Sequence, residues 1–244
     1  MNFLSLSAGT NSTALLILLC EGKLPQYTPF QPIFCETGCE KDETYAYFKG
    51  VLTPYLLAHG MTLQVLHGEH VIERWRAYHM VGMRISRSCT EHSKIRPMHR
   101  YLRSIPGDHL QMIGIDAGER HRAEGIWSRS KGHKIAFPLV DLEVNREGCK
   151  QIIRDAGLCQ PGKSGCWCCP FMPVFEVLKL AREQPEKMEI VRDLESNASI
   201  KYLKPVAQWY PHQVQWWIDR AQREGDPPPG MFQDDDKPCE CFDG

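Results

Sequence analysis

No stretch of this chain approaches the ~20 consecutive apolar residues that span a bilayer, and the run from Ala14 to Leu19 is far too short to do so. The start also lacks a basic n-region, which argues against a secretory leader. A strong net charge is missing too: 29 Lys and Arg stand against 30 Asp and Glu, giving −1 over 244 residues. Bulk attraction to a polyanion is therefore excluded. There is no internal repeat. Neither common phosphate fingerprint occurs, since the chain has no G-x-x-x-x-G-K-[ST] and no G-x-G-x-x-G. Cysteine, by contrast, is plentiful, with eleven residues. In a chain with no export signal, these read as metal-binding or catalytic rather than disulfide-forming. The expectation is a cytoplasmic protein, with no membrane role, that has a substantial core.

The charge that is present is uneven. Arg84, Arg87, Lys94, Arg96, Arg100 and Arg103 stand against Glu91 alone, and a second cluster holds Arg120, Arg122, Arg129, Lys131 and Lys134. Basic patches on a neutral protein suit phosphate-bearing ligands, with a solvated surface as the plain alternative. Asp234 to Asp236 make the tail acidic.

Strand and helix patterns alternate along the chain. Strands are expected at Met1 to Leu4, Pro32 to Cys35, Thr62 to Leu66, His109 to Ile115 and Lys134 to Val140. Helices are expected from Ala14 to Leu19, Asp42 to His59, Glu69 to His79 and Lys94 to Arg103, and from a cap at Asn145 to Ala156. Beyond Pro170 the pattern is helical, at Pro173 to Glu183, Pro185 to Leu194 and Pro211 to Arg223. Such alternation predicts an α/β fold, a doubly wound, mostly parallel sheet with helices on both faces. The expected division is an α/β nucleotide-binding domain over 1–170, a helical extension over 171–225 and an acidic, cysteine-bearing tail over 226–244.

The segment Ser5-Leu6-Ser7-Ala8-Gly9-Thr10-Asn11-Ser12-Thr13 joins the first strand to the first helix. Small residues let the backbone approach a ligand closely, and the helix N-terminus presents N–H groups and a positive dipole end. The matching ligand is an anion, most often phosphate. A Ser/Thr-capped core helix is the plain alternative.

This segment resembles the PP-loop, usually Ser-Gly-Gly-x-Asp-Ser, with Ala8 in place of a glycine and Asn11 in place of the aspartate. Phe34-Cys35-Glu36-Thr37-Gly38 followed by Glu43-Thr44-Tyr45 is similar to the second strand and helix of the phosphoadenylyl-sulfate-reductase-like family. There an Asp-Thr-Gly follows the strand, whereas here Cys35-Glu36 precedes Thr37. Cys89-Thr90 with Lys94-Ile95-Arg96-Pro97 resembles the arrangement which that family sets over the nucleotide, and Ile113 to Arg120 resembles the strand-end turn near its substrate. Phe137 to Asp141 and the helix from Asn145 fit the next strand-turn-helix. The likeness extends over roughly residues 1–180.

The resemblance implies a Rossmann-like PP-loop fold that binds ATP by its pyrophosphate, or an adenylyl sulfate (PAPS or APS) in one branch. Carried onto this sequence, the nucleotide site comprises Ser5, Ser7, Ala8, Gly9, Thr10, Asn11, Ser12, Thr37, Gly38, Lys94, Arg96 and Gly114. Ser12, Lys94, Glu119 and Arg120 are the expected catalytic groups, with Arg122 as an alternative to Arg120 for gripping a phosphate, and Mg as an expected ion.

Cys166 and Cys169 have C-x2-C spacing, which brings two thiolates to one metal from a tight turn. In the adenylyl-sulfate-reducing branch an early cysteine site and a later C-x2-C hold a 4Fe-4S cluster. By that likeness Cys89, Cys166 and Cys169 are ligands, with a fourth from Cys168, from Cys239 or Cys241, or from outside the protein. Zinc held by Cys166, Cys169, Cys239 and Cys241 is the competing reading, and no metal the third. Family reductases end in a nucleophilic Glu-Cys-Gly with a following histidine. Glu240-Cys241 is reminiscent, but Phe242 replaces the glycine and the histidine is missing, which disfavours sulfate reduction.

The functional expectation is an ATP-using enzyme that adenylates an oxygen and replaces it with sulfur or another nucleophile. A tRNA or DNA base is a candidate acceptor, with the basic run from Arg84 to Arg103 against its backbone and Trp167 as a stacking face. A sulfur-donor protein and self-association are further candidate partnerships. A non-catalytic adenine-nucleotide-binding module is the alternative from another class.

Overall fold

Five short apolar segments become β1 (Asn2–Ser5), β2 (Phe30–Glu36), β3 (Gln64–His67), β4 (Leu110–Ile113) and β5 (Lys134–Ala136). They form one sheet in the order β3-β2-β1-β4-β5, and every pairing is parallel. The computed structural model describes residues 1–84, 87–129, 134–209 and 211–226. These fall into two compact units. The first is built from Met1–Gly68 and Thr90–Gly165, and the second from Glu69–Cys89 and the described residues from Cys166 onward.

In the first unit, parallel strands require crossover connections, and helices supply them. α1 (Thr10–Cys20) links β1 to β2. α2 (Asp42–Tyr47), a π turn at Phe48–Leu52 and α3 (Thr53–Ala58) lead to β3. The chain then passes through α4 (Val71–Tyr78), α5 (Ser88–Thr90) and a π turn at Glu91–Ile95 into α6 (Arg96–Ser104) before β4. α7 (Arg120–Arg129) joins β4 to β5, and α8 (Pro138–Asp141) and α9 (Arg146–Asp155) follow.

Alternation along the strands sends successive side chains to opposite faces. Phe3, Ile33 and Cys35 pack with Met98 and Leu102 of α6. Leu4, Phe34 and Met112 pack with α1 and with Cys149 and Ile153 of α9. Both faces are thus covered, as a doubly wound sheet demands. Residues 10–19 of α1 are all buried, so this helix runs through the core rather than over it.

The strand expected over Lys134 to Val140 stops at Ala136, because Pro138 opens α8. Proline has no N–H for a ladder and is preset for a helix start.

The second unit contains α4, α10 (Val174–Glu183), α11 (Pro185–Tyr202) and α12 (Val214–Glu224). α11 runs past Leu194 because its buried stripe continues through Met188, Val191, Leu194, Glu195 and Ala198 at helical spacing. It ends where Leu203 turns left-handed at φ 54°. Glu195 is only 2 % exposed. Its carboxylate accepts the Gln208 N–H at 2.8 Å and the Val214 N–H at 3.0 Å, tying α11 to the start of α12. Burial raises its pKa to about 7, against the pull of those two N–H groups. Among the described residues no helix is long and apolar enough to cross a membrane.

Candidate functional site

β1 and β4 lie side by side with Ser5 opposite Ile113, while β2 flanks β1 on the other side. The strand order therefore reverses at β1, and in such sheets ligands sit in the crevice beyond the carboxyl ends. The loop leaving β1 opens there. Ala8 holds a left-handed φ of 57°, which costs an alanine about 1–2 kcal/mol. Its methyl is buried in the core, which offsets part of that cost. Gly9 is the cap residue of α1, and no side chain caps the helix. Its first turn is thus an anion-attracting end.

The loop is internally braced. The Ser7 and Ser12 hydroxyls are 3.2 Å apart, the Ser7 N–H donates to Ser12 Oγ at 3.3 Å, and Ser12 Oγ donates to the Gly9 carbonyl at 3.1 Å. The end of β4 presses on the same loop. A Cβ on Gly114 would lie 2.7 Å from the Cα and N of Ser12, so only glycine fits. From the opposite side comes the segment Gly162–Gly165. A Cβ on Gly9 would lie 2.7 Å from Ser164 Oγ, and the Gly165 carbonyl accepts the Lys41 N–H at 3.0 Å.

These pieces enclose an open cleft of about 620 Å³, counting the solvent at its mouth. Ser7, Gly9, Thr10, Asn11 and Ser12 form one wall, with Ile113, Gly114 and Ile115 beside them. Lys94, Glu40, Glu119, Arg122, Arg146 and Gly162 to Gly165 complete it.

Charge in the cleft is arranged in pairs. Lys94 Nζ lies 3.1 Å from Glu40 Oε1, with both side chains buried, and Thr37 Oγ1 donates to the same oxygen at 3.2 Å. Arg122 pairs with Glu119. The Asn11 amide donates to Asp116 Oδ2 at 2.9 Å and to Glu119 Oε2 at 3.4 Å, while its oxygen accepts Arg146 Nη1 at 3.0 Å. Asp116 is 2 % exposed and also accepts the Gly118 N–H at 2.9 Å. Two nearby thiols stay protonated. Burial pushes Cys35 up to about 11 despite Lys94. Burial, with Asp116 and Glu119 against Arg146, pushes Cys149 up to about 12.

Of the residues singled out in the sequence, the cleft gathers Ser7, Gly9, Thr10, Asn11, Ser12, Lys94, Gly114, Glu119 and Arg122. The others stand apart from its lining. Ser5 is buried in β1 and accepts Gln111 Nε2 at 2.9 Å. Ala8 faces the core. Thr37 acts through Glu40, and the Gly38 N–H donates to Glu36 Oε1 at 2.7 Å. Arg96 is solvent-facing and pairs with Glu91 at 3.0 Å. Arg120 Nη2 donates to the Val140 carbonyl at 3.3 Å. Sequence reasoning gave no role to Glu40, Asp116, Arg146 or Ser164. Asp116 lies within the Ile113 to Arg120 turn, and Arg146 follows the cap Asn145, but no local pattern marks either as a partner of Asn11.

The cysteine-rich turn belongs to the second unit, where Cys168 is buried and Cys166 and Cys169 are half-buried. It closes through the Cys169 N–H to the Cys166 carbonyl at 3.1 Å. Gln208 Nε2 and Trp209 Nε1 donate to the carbonyls of Cys168 and Cys169 at 2.5 and 3.0 Å. Cys89 is half-buried in α5. Among the described residues no three His, Cys, Asp or Glu side chains converge as a metal-binding group. The described cysteines therefore do not by themselves fit a cluster cage, and Cys239 and Cys241 lie outside the described residues.

A β1–loop–α1 unit beside β4, with its uncapped helix start in a cleft lined by lysine and arginine side chains, suits a phosphate-bearing ligand. Residues 1–224 match the phosphoadenosine phosphosulfate reductase domain family. The chain belongs to that family. Adenine-nucleotide binding by a PP-loop goes with membership. Among curated proteins none matches this reductase-family chain. Its fold is similar to the U34-tRNA thiolase NcsA from Methanococcus maripaludis, solved with its 4Fe-4S cluster. That likeness is at 14 % identity, over 93 % of this chain and 82 % of that one, with a TM-score of 0.43. At that distance nothing about ligands transfers.

Proposed function

We propose that this reductase-family domain binds ATP in the cleft and adenylates an oxygen of an acceptor. The acceptor oxygen attacks the α-phosphorus, the bond to the bridging α–β oxygen breaks, and pyrophosphate leaves. A sulfur or other nucleophile then displaces AMP from the activated carbon. The observation that carries this reading is the pairing of an uncapped helix start with both cations and carboxylates in one cleft. Glu119, whose carboxylate lines the cleft, would hold a magnesium ion together with substrate phosphates, and that ion would supply charge neutralisation there. The protein's own groups do the rest. The first turn of α1 holds phosphate oxygens, Lys94 and Arg122 face the charge that builds on the leaving pyrophosphate, and the Ser7–Ser12 pair keeps the loop in shape.

A nucleic-acid base as acceptor is supported by the second unit, where the Arg84 and Arg87 guanidinium carbons lie 5.8 and 4.9 Å from the Phe171 ring centroid. Such basic–aromatic groups suit a phosphate backbone with unstacked bases.

The test is to incubate the protein with α-labelled ATP and magnesium, with and without RNA or single-stranded DNA, and to resolve AMP and pyrophosphate. Acceptor-stimulated AMP release supports the proposal. Sulfite release from phosphoadenylyl sulfate with a thiol reductant, and no AMP from ATP, would replace it with the family's reductase chemistry. Tight nucleotide binding without turnover would leave a binding module. Iron, sulfide and zinc analysis of anaerobically purified protein decides separately whether Cys89, Cys166, Cys168 and Cys169 take part in a metal site at all, about four irons per chain marking a cluster.

A further inference from the structure

We propose that Arg146 is the phosphoryl-gripping residue of the cleft and sets its preference for a pyrophosphate-bearing ligand. This rests on the nucleotide reading above. The cations of the cleft are not equivalent. Lys94 is matched by Glu40 at 3.1 Å and Arg122 by Glu119, and Lys163, also in the lining, is not without a partner. Arg146 makes no ion pair among the described residues. Its one side-chain bond runs from Nη1 to the neutral Asn11 amide at 3.0 Å. Its Nε–H is buried with no acceptor among the described residues.

A buried donor without an acceptor is costly, and a guanidinium is a planar fork matched to two oxygens of a phosphate. Asn11 aims that fork. Its own amide is fixed at the other end by Asp116 at 2.9 Å, so the guanidinium is held beside the first turn of α1. An oxyanion held by that turn is the group within the fork's reach. Asp116 and Glu119 repel any anion that comes without such a counter-charge. The ligand class is therefore a phosphoryl chain rather than a nucleoside.

The test titrates the full chain calorimetrically with inorganic pyrophosphate, ATP and adenosine. Arg146→Gln is expected to weaken pyrophosphate and ATP about tenfold to a hundredfold, and to leave adenosine within twofold. Arg146→Lys keeps the charge but not the fork and is expected to recover only part of the loss. It carries the test should the glutamine variant fail to fold, which circular dichroism reports. Pyrophosphate binding within twofold of wild type in both variants overturns the assignment. Wild-type protein that binds none of the three ligands overturns the nucleotide reading instead.

Discussion

Gly114→Ala tests whether the cleft is built by backbone contact between the end of β4 and the start of α1. The added methyl would lie 2.7 Å from Ser12 Cα and N and 2.9 Å from the Asn11 carbonyl carbon. Ordinary carbon contacts begin near ~3.4 Å, so the two elements must part by roughly 0.7 Å. Neither side can rotate away, because the obstructing atoms are main chain. Overpacking of this kind costs about 1–3 kcal/mol. The same shift displaces the α1 first turn from the loop, and a misplacement near 1 Å costs about a hundredfold in turnover. Gly9→Ala is the control. Its methyl meets Ser164 Oγ at 2.7 Å but Ser164 Cβ only at 3.6 Å, so the obstruction is a single hydroxyl. Ser164→Ala should therefore relieve Gly9→Ala, with a coupling of about 0.5–1.5 kcal/mol in a double-mutant cycle, and should do nothing for Gly114→Ala. Urea unfolding and nucleotide titration read both effects. A Gly114→Ala protein within about 0.5 kcal/mol of wild type, with intact binding, would refute the close-approach reasoning.

Lys94→Met leaves Glu40 buried without its cation, and breaking a buried pair in this way costs about 3–5 kcal/mol. Lost activity in that variant is therefore uninformative. Glu40→Gln with Lys94→Met should recover most of the stability in urea unfolding, and its remaining turnover measures what the lysine does for the nucleotide. Glu195 makes a prediction for pH. Its folded pKa of about 7 lies above the unfolded value of 4.5, so below pH 4.5 both states are protonated and no penalty exists. Stability should fall as pH rises through that window, by about 3 kcal/mol in full. Glu195→Gln keeps an oxygen for the Gln208 and Val214 N–H groups and should flatten the slope. An unchanged slope in urea midpoints across pH 4.5–7 would exclude Glu195 as its source.

The fold was legible where local signals act alone. The strand, small-residue turn and apolar helix at residues 1–20 needed only periodicity, and the parallel sheet followed from alternation. Pro138 misleads in a strand-like stretch because Phe137, Leu139 and Val140 are apolar for a different reason: they are buried in a short helix and at its start. Lys94 and Gly114 could be read only through family likeness. The partners that give them meaning lie far off in sequence, Glu40 for Lys94 and Ser12 for Gly114. The pairing of Asn11 with Asp116 and Arg146 spans 105 and 135 positions, a separation that no local pattern encodes. Long-range contact likewise decides that Gln208 of the C-terminal segment receives the Gly82 N–H at 2.8 Å, joining residues 69–89 to the second unit.

Asn11 stands where the loop's usual residue is aspartate, and its surroundings explain why an amide is the better fit. An aspartate there would set a second carboxylate 2.9 Å from Asp116 Oδ2. Two unit charges near 4 Å already repel by about 4 kcal/mol at an effective dielectric of 20. The amide turns that repulsion into a donated hydrogen bond and leaves the acid one contact further back, on Asp116. On this reasoning the loop has moved its negative charge rather than lost it, and Asn11→Asp should destabilise the protein by the part of that repulsion that the Arg146 guanidinium, 3.0 Å from the other oxygen, does not offset. Adding Asp116→Asn exchanges the two groups. The new amide can still accept the Gly118 N–H and donate to the carboxylate introduced in the loop, so stability in urea should return. Pyrophosphate affinity should not return with it, because Arg146 would then face a carboxylate instead of an amide. Recovery of both in the exchanged protein would mean that Arg146 does not hold the phosphates. Recovery of neither would mean that Asp116 is fixed in place by more than its bond to Asn11.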